Sequence, residues 1–174
     1  QEALDPAQTV DEHYYSLDPS LILRPPVAAN FKDAFEKLTE QALDYEFPAH
    51  PQFDAEPRPI AVKRLADLMV LAAQKPAHRV ELEASLRDDA KRIAPKLDLA
   101  EVGEAALQLR DDWSQHFARL IAQQSGREPI VTDLRRWLDQ PERRGLRDDL
   151  QDLVILTWLA KTNRSLYRFG QPFR

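Results

Sequence analysis

The stretch Leu150 to Ala160 constrains this chain more than any other. Leu150, Leu153, Val154 and Trp158 recur at helical spacing, and Ile155, Leu156 and Leu159 widen the apolar stripe. A helix apolar over most of its circumference must be buried over most of it. Asp148, Asp149 and Asp152 sit in its first turns, and Lys161 and Arg164 at its end, an order of charge that suits the helix dipole. The stretch therefore predicts a central helix that the others wrap, so the molecule acts through its outer surfaces.

Enough apolar sequence surrounds that helix to cover it. Hydrophobic residues make up 43% of the 174 positions, which suits one domain or two small ones sharing a border. The 13 prolines against 4 glycines predict stiff connections between helices. There is no cysteine, which excludes disulfides and thiolate metal sites and agrees with a cytoplasmic location. No apolar run approaches the ~20 residues that cross a membrane. The amino end, Gln-Glu-Ala-Leu-Asp-Pro, lacks the basic start and apolar run of a signal peptide. It also lacks an initial methionine, so the chain is expected to be a piece of a longer protein.

Residues 1 to 27 read as an arm lying on the body, with Tyr14 and Tyr15 packing and Leu21-Ile-Leu before Pro25-Pro26. From Ala28 to Tyr45 the pattern is helical, with Phe31, Phe35, Leu38, Ala42 and Tyr45 on one face and Asn30 as a cap. Phe47-Pro-Ala-His-Pro-Gln-Phe53 reads as a rigid loop stapled to the core by its aromatics. Ile60 to Gln74 is helical, with Ile60, Leu65, Leu68, Met69 and Ala72 inward. Val80-Glu-Leu82 is a short extended piece. Leu82 to Ile93 is helical again. Between Leu97 and Leu109 the alternation favours a strand. Trp113 to Gln124 is a helix that Ser125-Gly126 ends.

In the last block Ile130-Val131 reads as a short strand and Thr132-Asp133 as cap-type residues. Leu134, Trp137 and Leu138 make a short amphipathic helix. Pro141 and Gly145 bracket a turn before the central helix, and Ser165 to Gly170 alternates as a strand. Strand, helix, turn, long helix, strand is the order of a winged helix. Residues 60 to 109 have a comparable order, which leaves two related units in tandem open, although no residue-by-residue repeat connects them.

The sequence carries no Gly-x-x-x-x-Gly-Lys-[Ser/Thr], no Gly-x-Gly-x-x-Gly and no Gly-x-Ser-x-Gly. His13, His50, His78 and His116 are scattered singly, and His116 reads as a half-buried, hydrogen-bonded side chain. The adjacent acids Asp88-Asp89, Asp111-Asp112 and Asp148-Asp149 point apart on a helix and read as helix-start charge. No catalytic, metal-binding or cofactor-binding residue is expected. Charge offers one other site. Residues 127 to 174 carry 10 Lys/Arg against 7 Asp/Glu, a net of +3, while the remainder carries 14 against 22, a net of −8. In a winged helix Arg135, Arg136, Arg143, Arg144, Arg147, Arg164 and Arg168 would meet nucleic-acid phosphates. The three aspartates opening the central helix would repel them.

Three stretches together point to a family: Phe47 to Phe53, Thr132-Asp-Leu-Arg-Arg-Trp-Leu-Asp139, and Gly145-Leu through Asp152-Leu-Val-Ile-Leu-Thr-Trp to Thr162-Asn-Arg-Ser165. Over residues 28 to 170 the chain resembles a region downstream of the nucleotide-binding core in the very large P-loop phage-resistance ATPases of phage growth limitation and bacteriophage-exclusion (BREX) systems. The resemblance implies a multi-protein antiviral defence complex and transfers no catalytic residue. Arg168-Phe-Gly-Gln-Pro departs from the more glycine-rich end expected there.

The combined expectation is a mainly α fold, a compact helical bundle with a few short strands, winged-helix-like units being one form it takes. The expected divisions are an arm at 1–27, a helical subdomain at 28–126, and a winged-helix-like subdomain at 127–174 packed on it. The expected function is a non-catalytic interaction or regulatory module, with a nucleic-acid-binding winged helix as the alternative. Expected partners are other domains of the parent protein, other defence proteins, or DNA, with no membrane and no small-molecule substrate.

Overall fold

A computed structural model describes residues 16–124, 127–168 and 171–172. Tyr14, Tyr15, His13, the Ser125-Gly126 helix end and Phe169-Gly170 lie outside the described residues. The described residues fold as six α-helices and five short strands, a mainly α architecture. They fall into two compact units: those up to His50 together with Glu142–Arg144, and those from Pro51 to Pro141 and from Gly145 onward.

In the first unit, α1 spans Phe31–Glu46. Asn30 caps it as expected, its Oδ1 accepting the Asp33 N–H at 3.0 Å. The helix ends at Glu46, before Pro48. The expected inward face is realised fully at Leu38 and in part at Ala42, which is half-buried. Phe31, Phe35 and Tyr45 are 73%, 56% and 44% exposed. Periodicity selects a face but supplies nothing to cover it. Here residues 20–27 lie along the neighbouring row of Lys37, Gln41 and Tyr45, held by polar contacts, with Leu21 and Leu23 half-buried. The turn at Glu142–Arg144 joins this unit through main-chain contacts. Ala49 N–H donates to the Arg143 carbonyl at 3.1 Å, and His50 Nδ1 to the Arg144 carbonyl at 2.6 Å.

The second unit begins with α2, Pro59–Ala73, whose first residue lacks only an N–H that no helix start would use. Ala61, Val62, Leu65, Leu68, Met69 and Ala72 are buried. Ile60, expected inward, is 56% exposed. At 100° per residue it falls in line with Arg64 and Leu71 rather than with Ala61 and Leu65. A 3-10 turn at Pro76–His78 follows, tethered by His78 Nδ1 donating to the Ala73 carbonyl at 3.1 Å.

Then come β1 (Arg79–Glu81), α3 (Ala84–Ile93), β2 (Ala100–Val102) and β3 (Ala106–Leu109). The three strands form an antiparallel sheet in the order β1-β3-β2, with Leu107 opposite both Val80 and Val102. The alternation in the sequence is thus a real strand, with Leu107 and Leu109 buried and Gln108 exposed.

Three helices and a hairpin complete the unit: α4 (Asp112–Gln123), α5 (Val131–Leu138), α6 (Asp148–Lys161), then β4 (Tyr167–Arg168) paired with β5 (Gln171–Pro172). The strand expected at Ile130-Val131 is not formed. Val131 opens α5 and Ile130 precedes it. Asp133 decides this locally, its Oδ2 accepting the Ile130 N–H at 3.3 Å while its own N–H donates to the Ile130 carbonyl at 2.9 Å. Before α6 the chain turns at Gly145, whose φ of 56° suits glycine. Its N–H donates to Asp139 Oδ1 at 3.2 Å.

One hydrophobic cluster runs from Ala61 to Leu159 and draws on every helix of this unit. The helix α6 packs against α2, α4 and α5. Leu150, Leu153, Val154, Ile155, Trp158 and Leu159 are buried, as the stripe requires. Leu156 is the correction, at 40% exposed: a helix with three helical neighbours keeps a narrow strip in solvent, and Leu156 shares it with Asp148 and Asp152. Thr157 is buried with its hydroxyl donating to the Leu153 carbonyl at 2.7 Å. At the centre, the Phe117 ring lies 4.9 Å from Trp158, 5.6 Å from Trp113 and 6.3 Å from Trp137. The Trp113 indole donates to the Leu97 carbonyl at 2.7 Å, so its one polar atom is satisfied within the core.

Candidate nucleic-acid interface

The structure turns most of the seven arginines onto carboxylates. Arg135, on α5, reaches across to the start of α6 and meets Asp148 at 3.1 Å and Asp152 at 2.7 Å. Arg136 pairs with Asp133 one turn earlier, at 2.9 Å. Arg147, the residue before α6, pairs with Asp149 at 2.8 Å and with Glu56, and donates to the Pro57 carbonyl at 2.8 Å. Arg164 pairs with Glu128 at 3.1 Å and lies over the Trp158 ring, 5.2 Å from its centroid. Arg143 pairs with Glu46 and, with Arg144, belongs to the first unit. Arg168 is exposed on β4.

These contacts change both partners. The hydrogen bond from Arg147 holds the Asp149 carboxyl below its usual range, and the same bond raises the guanidinium. The exposed strip of α6 consists of Asp148, Asp152 and Leu156, two carboxylates and a leucine. A helix presenting that strip to a phosphate backbone meets like charge first. The three aspartates that read as helix-start charge are therefore also the acceptors for Arg135 and Arg147.

Two further contacts had no signal in the sequence, because the partners lie far apart along it. Lys161, whose side chain is only 7% exposed, extends from the end of α6 and donates at 2.5 Å to both the Arg110 carbonyl and Asp111 Oδ1. That hydrogen bond pulls the Asp111 carboxyl below its ordinary value. Arg110 in turn pairs with Asp98 at 3.4 Å and Asp112 at 2.9 Å. The Asp111-Asp112 pair is thus split between two cations.

Each described histidine is hydrogen-bonded to a main-chain carbonyl. His116 Nε2 donates to the Trp137 carbonyl at 2.8 Å and Nδ1 lies 3.1 Å from the Arg119 guanidinium, the ring half-buried as expected. Among the described residues no group of three or more His, Asp or Glu is placed to hold a metal ion, and no helix is long and apolar enough to cross a membrane.

The described residues form a mainly helical module with a small antiparallel sheet, many of its charges paired with one another. The family model described as the BREX System ATPase PglY protein 5th domain matches residues 61–159. The chain belongs to that family. The matched span coincides with the hydrophobic cluster, from Ala61 on α2 to Leu159 on α6. No solved structure matches the chain.

Proposed function

We propose that this chain is a non-catalytic interaction or regulatory module of a larger anti-phage defence ATPase. Its partners are other domains of the parent protein or other proteins of the defence system. The observation that carries the reading is the fate of the arginines: at least five of the seven are ion-paired within the chain. A cation already neutralised by a carboxylate releases few counterions on meeting a phosphate, so it adds little to nucleic-acid affinity. The groove between α2 and α3, about 540 Å³, floored by Leu68 and Leu86 and edged by Arg64, Leu71 and Glu83, fits a protein surface with apolar and charged groups together.

A second reading, a winged-helix nucleic-acid-binding domain, is favoured by the topology. Helix, strand, helix and hairpin with sheet order β1-β3-β2 occupy residues 59–109, and three helices and a hairpin occupy residues 112–172. A salt-titrated binding measurement with duplex DNA separates the readings. The interaction module gives at most weak binding, unchanged in Arg143→Glu/Arg144→Glu/Arg168→Glu. Tight binding that weakens steeply with salt, and loses roughly one unit of log–log slope per arginine replaced, overturns it in favour of the second reading. Nucleotide turnover by this chain alone overturns both.

A further inference from the structure

The first unit contains a strap. Residues 20–27 run antiparallel along α1, Ser20 beside Tyr45, Arg24 beside Gln41 and Val27 beside Lys37. The latch at its centre is a side-chain amide reading main chain in both directions. Gln41 Oε1 accepts the Arg24 N–H at 2.7 Å, and Gln41 Nε2 donates to the Arg24 carbonyl at 3.0 Å. Lys37 Nζ donates to the Val27 carbonyl. At the far end the Ser20 and Tyr45 hydroxyls hydrogen-bond at 2.5 Å, and Asp18 accepts from the Ser20 N–H at 2.9 Å.

Three features make this strap easy to lift. Each of these bonds is exposed to solvent, where water replaces a broken bond at little cost. Among the leucine, isoleucine and valine side chains in and beside the strap none is fully buried: Leu21 and Leu23 are half-buried, and Leu17, Ile22 and Val27 are 102%, 85% and 90% exposed. The start of α1 is set by the Asn30 cap and so does not depend on the strap being in place. Only residues 28–30 separate the two.

We propose that the row Lys37–Gln41–Tyr45 is an exchangeable docking rail, filled here in cis, and that the strap of a second copy of this chain takes the same place reciprocally. The second copy is the occupant because its strap is the one segment known to fit, and a reciprocal swap re-forms every latch bond in both molecules. The swap also places the two copies' Val27, Phe31 and Phe35, largely exposed in each, where they can cover one another. Lifting the strap exposes the rail, so at low concentration the cis contact prevails and exchange grows with concentration.

The test uses the whole chain, which has no native cysteine to interfere. A donor dye is placed on Ile22→Cys in one preparation and an acceptor on Asp44→Cys in another, and the two are mixed from micromolar to millimolar concentration. Energy transfer between copies is expected to rise with concentration. Gln41→Ala in both preparations removes the same two hydrogen bonds from the cis and the swapped forms, so the extent of transfer at equilibrium stays within about twofold while the rate at which mixing produces transfer rises by about tenfold. Alanine is the best helix former, so that variant keeps α1. Gln41→Glu, which keeps the acceptor and loses the donor, falls between. Absence of transfer at every concentration overturns the proposal. Transfer that develops at an unchanged rate in Gln41→Ala overturns it too, since association would then be through other surfaces.

Discussion

Phe117→Ala is the sharpest test of the central cluster. The side chain is fully buried, and its ring touches all three tryptophans of the chain. Returning a buried phenylalanine to water forfeits about 1.5–3 kcal/mol of transfer free energy. Its ring contacts add about 0.5–1.5 kcal/mol, and the residual cavity brings the total to roughly 3–5 kcal/mol. That is a large share of the ~5–15 kcal/mol that holds a domain together. At ~2–4 °C per kcal/mol for a chain of this size, Tm should drop by about 6–20 °C. Urea titration followed by circular dichroism measures the loss. Tryptophan fluorescence reports the same transition from within the cluster, since Trp113, Trp137 and Trp158 all lie against the replaced ring. Leu156→Ala is the matched control on α6. It removes an exposed leucine and should cost no more than about 0.5 kcal/mol. If Phe117→Ala stays within about 1 kcal/mol of the parent chain, or Leu156→Ala costs as much, the picture of α6 as a buried helix packed on Phe117 is wrong.

Other outcomes follow from the charges and caps. Asp111 and Asp149 have folded values depressed by Lys161 and Arg147, from 3.8 in the unfolded chain. Their contribution is present above that value and is lost as pH falls through the lower folded values. Urea midpoints should therefore decline on acidification below about pH 4, and the decline should be shallower in Asp149→Asn; an equal slope refutes the assignment. Asn30→Ala should destabilise α1 by about 1 kcal/mol, seen as faster amide exchange at residues 31–35, while exchange in α6 stays unchanged. Lys161→Ala leaves the Arg110 carbonyl without its donor. It should lower the urea midpoint more than Lys63→Ala, which removes an exposed lysine from α2; equal effects would show the Lys161 contact to be dispensable.

The local sequence determined the helices, the alternating strand at Ala106–Leu109, the Asn30 cap and the burial of α6. Each depends on residues within one or two turns of one another, and a period of 3.6 or 2 can be read without knowing the fold. Tertiary structure decided what each face meets. The α1 stripe of Phe31, Phe35 and Tyr45 has the right period and stays largely exposed, because a period picks a face without supplying an apolar partner for it. Ile130-Val131 has the side chains of a strand and starts a helix, because Asp133 offers the Ile130 N–H a partner and no described strand pairs with it. The seven arginines show the same limit most clearly. Arg147 finds Glu56 from 91 residues away and Arg135 finds Asp148 from 13. Charge pairing depends on distance in space, and composition reports only how many charges are present.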